Sequence, residues 1–129
     1  MGVSIGWFIK ELYKKDAKEG IQKDYGHGNG YLHDEEMTAD RPLVRADAAR
    51  IVHLYLKEKG YKDISDIEKA SVLRDLYDCR VCVNHIAQVY LRGIMEPYEI
   101  DGISDTPFLI FDSGRKVSKE EAQRILKNI

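Results

Sequence analysis

Phe111-Asp112-Ser113-Gly114-Arg115-Lys116-Val117-Ser118-Lys119-Glu120-Glu121-Ala122 lines up with Met37-Thr38-Ala39-Asp40-Arg41-Pro42-Leu43-Val44-Arg45-Ala46-Asp47-Ala48. In each stretch an apolar residue leads through a polar turn to a basic residue, a carboxylate two places on and an alanine, and each runs straight into a helical pattern. The pattern is that of one structural unit used twice. A duplicated helix-opening motif with no duplicated catalytic set points to a binding module.

Working outward, Trp7, Phe8, Ile9, Leu12 and Tyr13 form an apolar stripe at helical spacing, with Gly20 as its C-terminal cap. From 22 to 41 the pattern dissolves into glycines, histidines and acids, which is a long loop. Pro42 precedes a second helix running to about Lys59 and ended by Gly60, with Ala48, Val52 and Tyr55 on one face. Ser65 and Glu68 have capping-box spacing and open a third helix through Ala70, Leu73, Leu76 and Tyr77. The same rhythm continues through Cys79, Val83, Ile86 and Tyr90 to Gly93, as one long helix or as two joined near Asp78. Phe108-Leu109-Ile110-Phe111 is a short extended run, and Ser118 with Glu121 opens the last helix.

Gly20-Ile21 and Gly93-Ile94 each follow a helix and precede a loop, so each unit is helix, Gly-Ile, loop, motif, helix. The expected fold is all-α: two helix-loop-helix repeats, about 5–60 and 61–129, packed as one small bundle in a single domain, 1–129. With 20 basic and 22 acidic residues interspersed, the chain has no electrostatic footprint for nucleic acid. No apolar run approaches the roughly 20 residues that span a bilayer, and residues 1–6 lack the features of a signal peptide.

This layout resembles the S-layer homology family. Its members have an aromatic-x-Asp-hydrophobic opening, a helix, a Gly-Ile pair, a loop ending in an aromatic, and a helix opened by a Thr-Arg-Ala-Glu type motif. Here the opening is Tyr61-Lys62-Asp63-Ile64, and the motif stands as Val44-Arg45-Ala46-Asp47 and Ser118-Lys119-Glu120-Glu121. Trp7 lies where the family often has a helix tryptophan. Such modules usually come as three repeats, whereas two are apparent here, the first without the aromatic-Asp opening and the second without a matching tryptophan.

The resemblance implies a non-catalytic module at the cell surface that binds cell-wall polysaccharide, with no membrane insertion and no cofactor. Self-association, or a third repeat in a longer parent chain, would complete the bundle. A basic residue in the first turn of a helix stands beside free N–H groups and the positive dipole end, which suits an anionic sugar substituent. Arg45 and Lys119 are the expected anion contacts; Asp47 and Glu121 cap the helices and hold the basic side chains; Trp7 offers a flat surface to a sugar ring. Gly20, Gly93, Ser118 and Asp63 are the structural positions. Each has a plainer rival reading: solvated surface charges for Arg45 and Lys119, and core packing for Trp7. Val44 lacks the side-chain cap that Ser118 supplies, and Lys119 lacks the planar fork of an arginine.

Cys79, Cys82 and His85 with His27 or His33 supply zinc-type ligands, but in a helical rhythm the cysteines read instead as buried small hydrophobes. No strand and turn lead into them as a thioredoxin-like site requires. The 26–30 glycine stretch lacks the Lys-Ser/Thr of a phosphate loop, and the acids around it lack the order of an EF-hand. Two further functions stay open: an intracellular helical protein-interaction domain, and a small metal-dependent hydrolase built from His27, His33, His53, His85 and the acidic loop.

Overall fold

The computed structural model describes residues 2–15, 41–100 and 108–129. Gly20, Ile21, His27, His33 and most of the expected 22–41 loop lie outside the described residues, as does the Tyr13 side chain. The chain is mainly helical. Helices α1 (Ile5–Lys15), α2 (Arg45–Glu58), α3 (Val83–Leu91) and α4 (Lys119–Asn128) are accompanied by two short strands, β1 (Tyr98–Ile100) and β2 (Phe108–Ile110). The strands pair antiparallel, with Glu99 opposite Leu109.

α1 buries Ile5, Phe8, Ile9 and Leu12, while Trp7 packs partly buried against the same core. α2 turns Ala48, Ala49, Ile51, Val52, Tyr55 and Leu56 inward and packs on α3 and α1. Ile86, Ala87 and Val89 of α3 and Ala122 and Ile125 of α4 complete one continuous cluster. That cluster joins both halves of the described chain.

The helix-opening segments meet one another in a triangle. Leu43 N–H donates to Val3 O and Val117 N–H donates to Leu43 O, both at 2.9 Å. One residue turn away, Ile5 N–H donates to Arg41 O and Arg45 N–H donates to Arg115 O, also at 2.9 Å. Gly2 pairs with Ser118 on the third side. Val3, Leu43 and Val117 are therefore equivalent positions, and so are Ser4, Val44 and Ser118. The motif occurs three times in space, although the sequence displays only two copies, because Val3-Ser4-Ile5-Gly6-Trp7 keeps neither the basic residue nor the carboxylate.

Caps follow the same three-way comparison. Ser4 Oγ accepts from Trp7 N–H at 3.1 Å and Ser118 Oγ accepts from Glu121 N–H at 3.1 Å. Val44 has no acceptor, so α2 keeps only the return contact, Val44 N–H to Asp47 Oδ2 at 3.4 Å. The Gly-Ile pair has a physical cause at α3. Gly93 takes φ 72°, its N–H donates to Tyr90 O, and Ile94 N–H donates to Val89 O, each at 3.0 Å. This is the Schellman arrangement, in which glycine supplies the left-handed residue and the next side chain, buried Ile94, closes an apolar contact. Gly60, at φ 91°, ends α2 the same way with Tyr61 N–H on Leu56 O.

The expected third helix is not an α-helix before Val83. Residues Ile67–Val72, Leu76–Asp78 and Arg80–Cys82 are short 3-10 pieces, and the first has Asp66 at its N-cap with no side-chain cap, so the Ser65–Glu68 box does not form. Ala70, Leu73 and Leu76 are buried while Tyr77 is 63% exposed, and Leu73 itself is extended, φ −78° and ψ 112°, between the first two pieces. Pairing with the sheet breaks the helix: Leu73 lies beside Leu109, and Arg74 N–H donates to Leu109 O at 2.8 Å. Asp75 then accepts from the N–H groups of Phe111 and Asp112, both at 2.7 Å, holding Asp112 at φ 61°.

Candidate functional site

Arg45, the first residue of α2, is 1% exposed. Its Nε donates to Phe111 O at 2.7 Å, Nη2 donates to Glu96 O at 2.5 Å, and Nη1 forms an ion pair with Glu121 Oε2. The guanidinium lies between the rings of Phe111, 4.5 Å from the centroid, and Tyr98, 4.7 Å away. Burial pushes its pKa down and Arg115 adds to this, against the opposing influence of Tyr98, Asp112 and Asp75. A planar fork with its edge bonded to a carboxylate and two carbonyls and its faces on aromatic rings is a use that lysine could not fill.

Beside this staple is a cavity of about 200 Å³. Ile94, Met95, Glu96, Pro97 and Tyr98 form one wall, and Glu121, Arg124, Ile125 and Asn128 of α4 form the other, with Arg45 at its base. The Arg115 guanidinium also lies over Tyr98, 4.1 Å from the ring centroid, and the Tyr98 hydroxyl lies 3.4 Å from Glu121 Oε1. The Gly93 turn positions this wall, because it directs Ile94 and Met95 into the core and sends Glu96 outward. Arg124, exposed on α4, is the cation at the rim.

The expected site residues are thus dispersed. Arg45 and Glu121 meet, but across two motifs: the second motif's carboxylate holds the first motif's arginine. Arg45 is already engaged by Glu121 and two carbonyls, so it shapes the cavity rather than standing in solvent. Lys119 is exposed and lies outside the cavity lining. Asp47 serves the start of α2 and lies 3.9 Å from Arg50. Trp7 is not a lining residue either; it sits partly buried against the core. Ser118 caps α4 and Gly93 caps α3 as expected. Arg124 and Tyr98 went unnoticed in the sequence. The useful signal for Arg124 was its place at i+3 from Glu121, on the same face of α4.

A second polar cluster lies between α2 and α3. His53 Nδ1 is 2.7 Å from His85 Nδ1, and His53 Nε2 is 2.7 Å from Asp63 Oδ1, while Asn84 donates to Asp63 Oδ2 at 3.0 Å. Gln88 anchors the same connector through Ile64, accepting from its N–H at 2.8 Å and donating to its carbonyl at 2.9 Å. Burial alone would raise the Asp63 pKa, but hydrogen bonds from His53 and Asn84, with the charges of His53 and Lys57, hold it below the ordinary value of 3.8. Asp63 is therefore a partner for histidine more than a helix-opening residue.

Nearby, Cys79 and Cys82 form a disulfide. They are half-buried on a 3-10 turn ahead of α3, with Val81 between them 85% exposed. The expectation of two buried hydrophobes within a helix is corrected, because the pairing of 73–75 with β2 ends the helical path before the cysteines are reached. Among the described residues, no three His, Cys, Asp or Glu side chains are placed to hold a metal ion. No described helix is long and apolar enough to cross a membrane. Compared with protein-family models, curated proteins and solved structures, the chain matches none.

Proposed function

We propose that the chain is a non-catalytic anchoring module of the cell surface that holds an anionic substituent of a cell-wall polysaccharide in the cavity between 94–98 and α4. The observation that carries this reading is the cavity itself: a small recess with an aromatic wall, Tyr98, a cationic rim, Arg124, and a rigid base fastened by Arg45. Its volume of about 200 Å³ is below the roughly 300 Å³ at which sites for drug-sized ligands begin. A single charged sugar fits that scale better than an extended chain. The triangle of helix openings supports the resemblance to three-repeat S-layer homology modules. Because one chain supplies all three sides, the reading does not require self-association. The disulfide is also in keeping with an oxidising, extracellular setting.

Co-sedimentation with Gram-positive sacculi, before and after acid extraction of their secondary polymers, tests the reading. Wild type should sediment with intact sacculi only, and Arg124→Glu should lose that binding while keeping its helical spectrum. Absence of binding to any wall preparation overturns it. A second reading, an intracellular protein-interaction domain, is favoured by the exposed apolar side chains of Val72, Tyr77 and Val81 on the 3-10 segments. Binding to sacculi with Tyr77→Ser unchanged would remove that support.

A further inference from the structure

Cys79 and Cys82 take no part in holding a glycan, and their disulfide adds little to the fold. It spans one turn that a hydrogen bond already closes, Cys82 N–H donating to Cys79 O at 3.0 Å. A covalent link between residues so close in sequence removes little freedom from the unfolded chain. Nor does it join two elements, because it lies within the start of one helical run: Arg80–Cys82 passes directly into α3, with Val83 N–H donating to Arg80 O. The ring it closes contains exposed Arg80 and Val81, so the bond stands at the surface, where access permits exchange.

The two cysteines are not equivalent. Cys82, like Val83, packs against the apolar core, whereas Cys79 stands outside that cluster. Cys79 is the N-cap of the helical run, with extended backbone at φ −118° and ψ 100°, and its side chain makes no capping hydrogen bond. A disulfide sulfur is a weak acceptor. A thiolate at the same position meets the N–H groups of the first turn and the positive end of the helix dipole. Asp78 and Arg80, both exposed, flank Cys79 with opposite charges, which leaves the helix end to favour the thiolate. A disulfide whose reduced form is stabilised in this way is an oxidant.

We infer that the Cys79–Cys82 disulfide is an exchange site that oxidises a dithiol of another polypeptide. The first client thiol, as its thiolate, attacks Cys79 Sγ; the client–Cys79 bond forms, the bond to Cys82 breaks, and Cys82 leaves as a thiolate that takes a proton from water. The second client thiolate attacks the client sulfur of this mixed disulfide, so the client's own disulfide forms and Cys79 leaves as the thiolate that caps the helix. Two electrons pass from client to chain. Two protons leave the client; the equivalent of one is kept on Cys82 and the other goes to solvent.

The oxidised full chain mixed with a synthetic peptide carrying two thiols, read by alkylation and mass spectrometry, is the test. The peptide should be oxidised with loss of one chain disulfide per peptide, about 10-fold faster than by a disulfide-closed peptide of residues 77–84, which has the same ring without the folded helix. Cys82→Ser, given the client peptide in its disulfide form, should hold it as a stable mixed disulfide on Cys79. Thiolate ultraviolet absorbance of the free variant should titrate below the unperturbed thiol value of about 8.5, and that of Cys79→Ser should not. Circular dichroism of the reduced wild type should match that of the oxidised chain. Loss of helix on reduction overturns the inference, because the bond would then be structural. So does an exchange rate no greater than that of the short peptide, or a Cys79 thiol that titrates at the unperturbed value. None of these outcomes bears on binding to sacculi.

Discussion

Arg45 replaces two functions of a core side chain at once, since its faces pack on Phe111 and Tyr98 while its edge ties α2 to α4 and to the 96 and 111 carbonyls. Removing it leaves the Glu121 carboxylate buried without its cation, so Arg45→Ala should cost about 3–5 kcal/mol. That is a large part of the roughly 5–15 kcal/mol that holds a typical domain. Urea denaturation measures it, and the paired change Arg45→Met with Glu121→Leu should recover most of the loss, because no unpaired charge remains. For the same reason Arg124, and not Arg45, is the clean probe of the cavity. Asp63 belongs to the residue scale as well. Its folded pKa is depressed, so the stability it contributes is complete above the unfolded value and is lost as pH falls through the lower folded one. Unfolding free energy followed from pH 5 downward should fall less steeply in Asp63→Asn than in wild type. The effect should be modest, since the carboxylate is partly exposed.

At the scale of elements, the ends of helices were the readable parts. Gly60 and Gly93 announced the ends of α2 and α3, and Ser118 the start of α4, because a cap is a local bargain between one side chain and the backbone beside it. A β-carbon at Gly93 would meet nothing within 4 Å, so only the positive φ opposes it. Gly93→Ala should therefore lower stability by about 1–2 kcal/mol, the cost of a left-handed residue, and Gly93→Asn by less; thermal unfolding ranks the two. Val44 invites the opposite change. It occupies an N-cap with extended backbone, φ −106° and ψ 165°, but has no acceptor. Val44→Thr should add about 1 kcal/mol, raising the melting temperature. Residues 67–82 were misread as helix. An apolar three-residue spacing suits an amphipathic α-helix as well as a 3-10 path, and the choice was made by hydrogen bonds to Leu109, Phe111 and Asp112, some 35 positions further along the chain.

Across the whole molecule, α1 is joined to the remainder by the pairing of 2–5 with 41–43 and 118 as well as by its buried face. The two halves should then unfold together. Trp7, the single tryptophan, stands on α1, so its fluorescence reports one helix while far-ultraviolet circular dichroism reports the helical content of the whole chain. Coincident transitions are expected, and a separate early loss of Trp7 signal would divide the fold into two units.

Apolar periodicity, two glycine stops and a serine cap sufficed to establish a mainly helical chain and the places of α1, α2 and α4, because those signals act over three or four residues. Of the stretches 37–48 and 111–122 that look alike in sequence, the described parts enter the same backbone triangle through Leu43 and Val117. Tertiary structure alone decided the rest. A third such stretch, at 2–8, shares backbone geometry but almost no side chains with the others. The arginine expected to meet a ligand is instead buried, because Glu121, Phe111 and Glu96 converge on it from positions distant in sequence. The cysteine turn and the His53–His85 pair likewise exist only where α2 and α3 cross. Burial and pairing of charged groups depend on which surfaces meet, and no local pattern of residues carries that information.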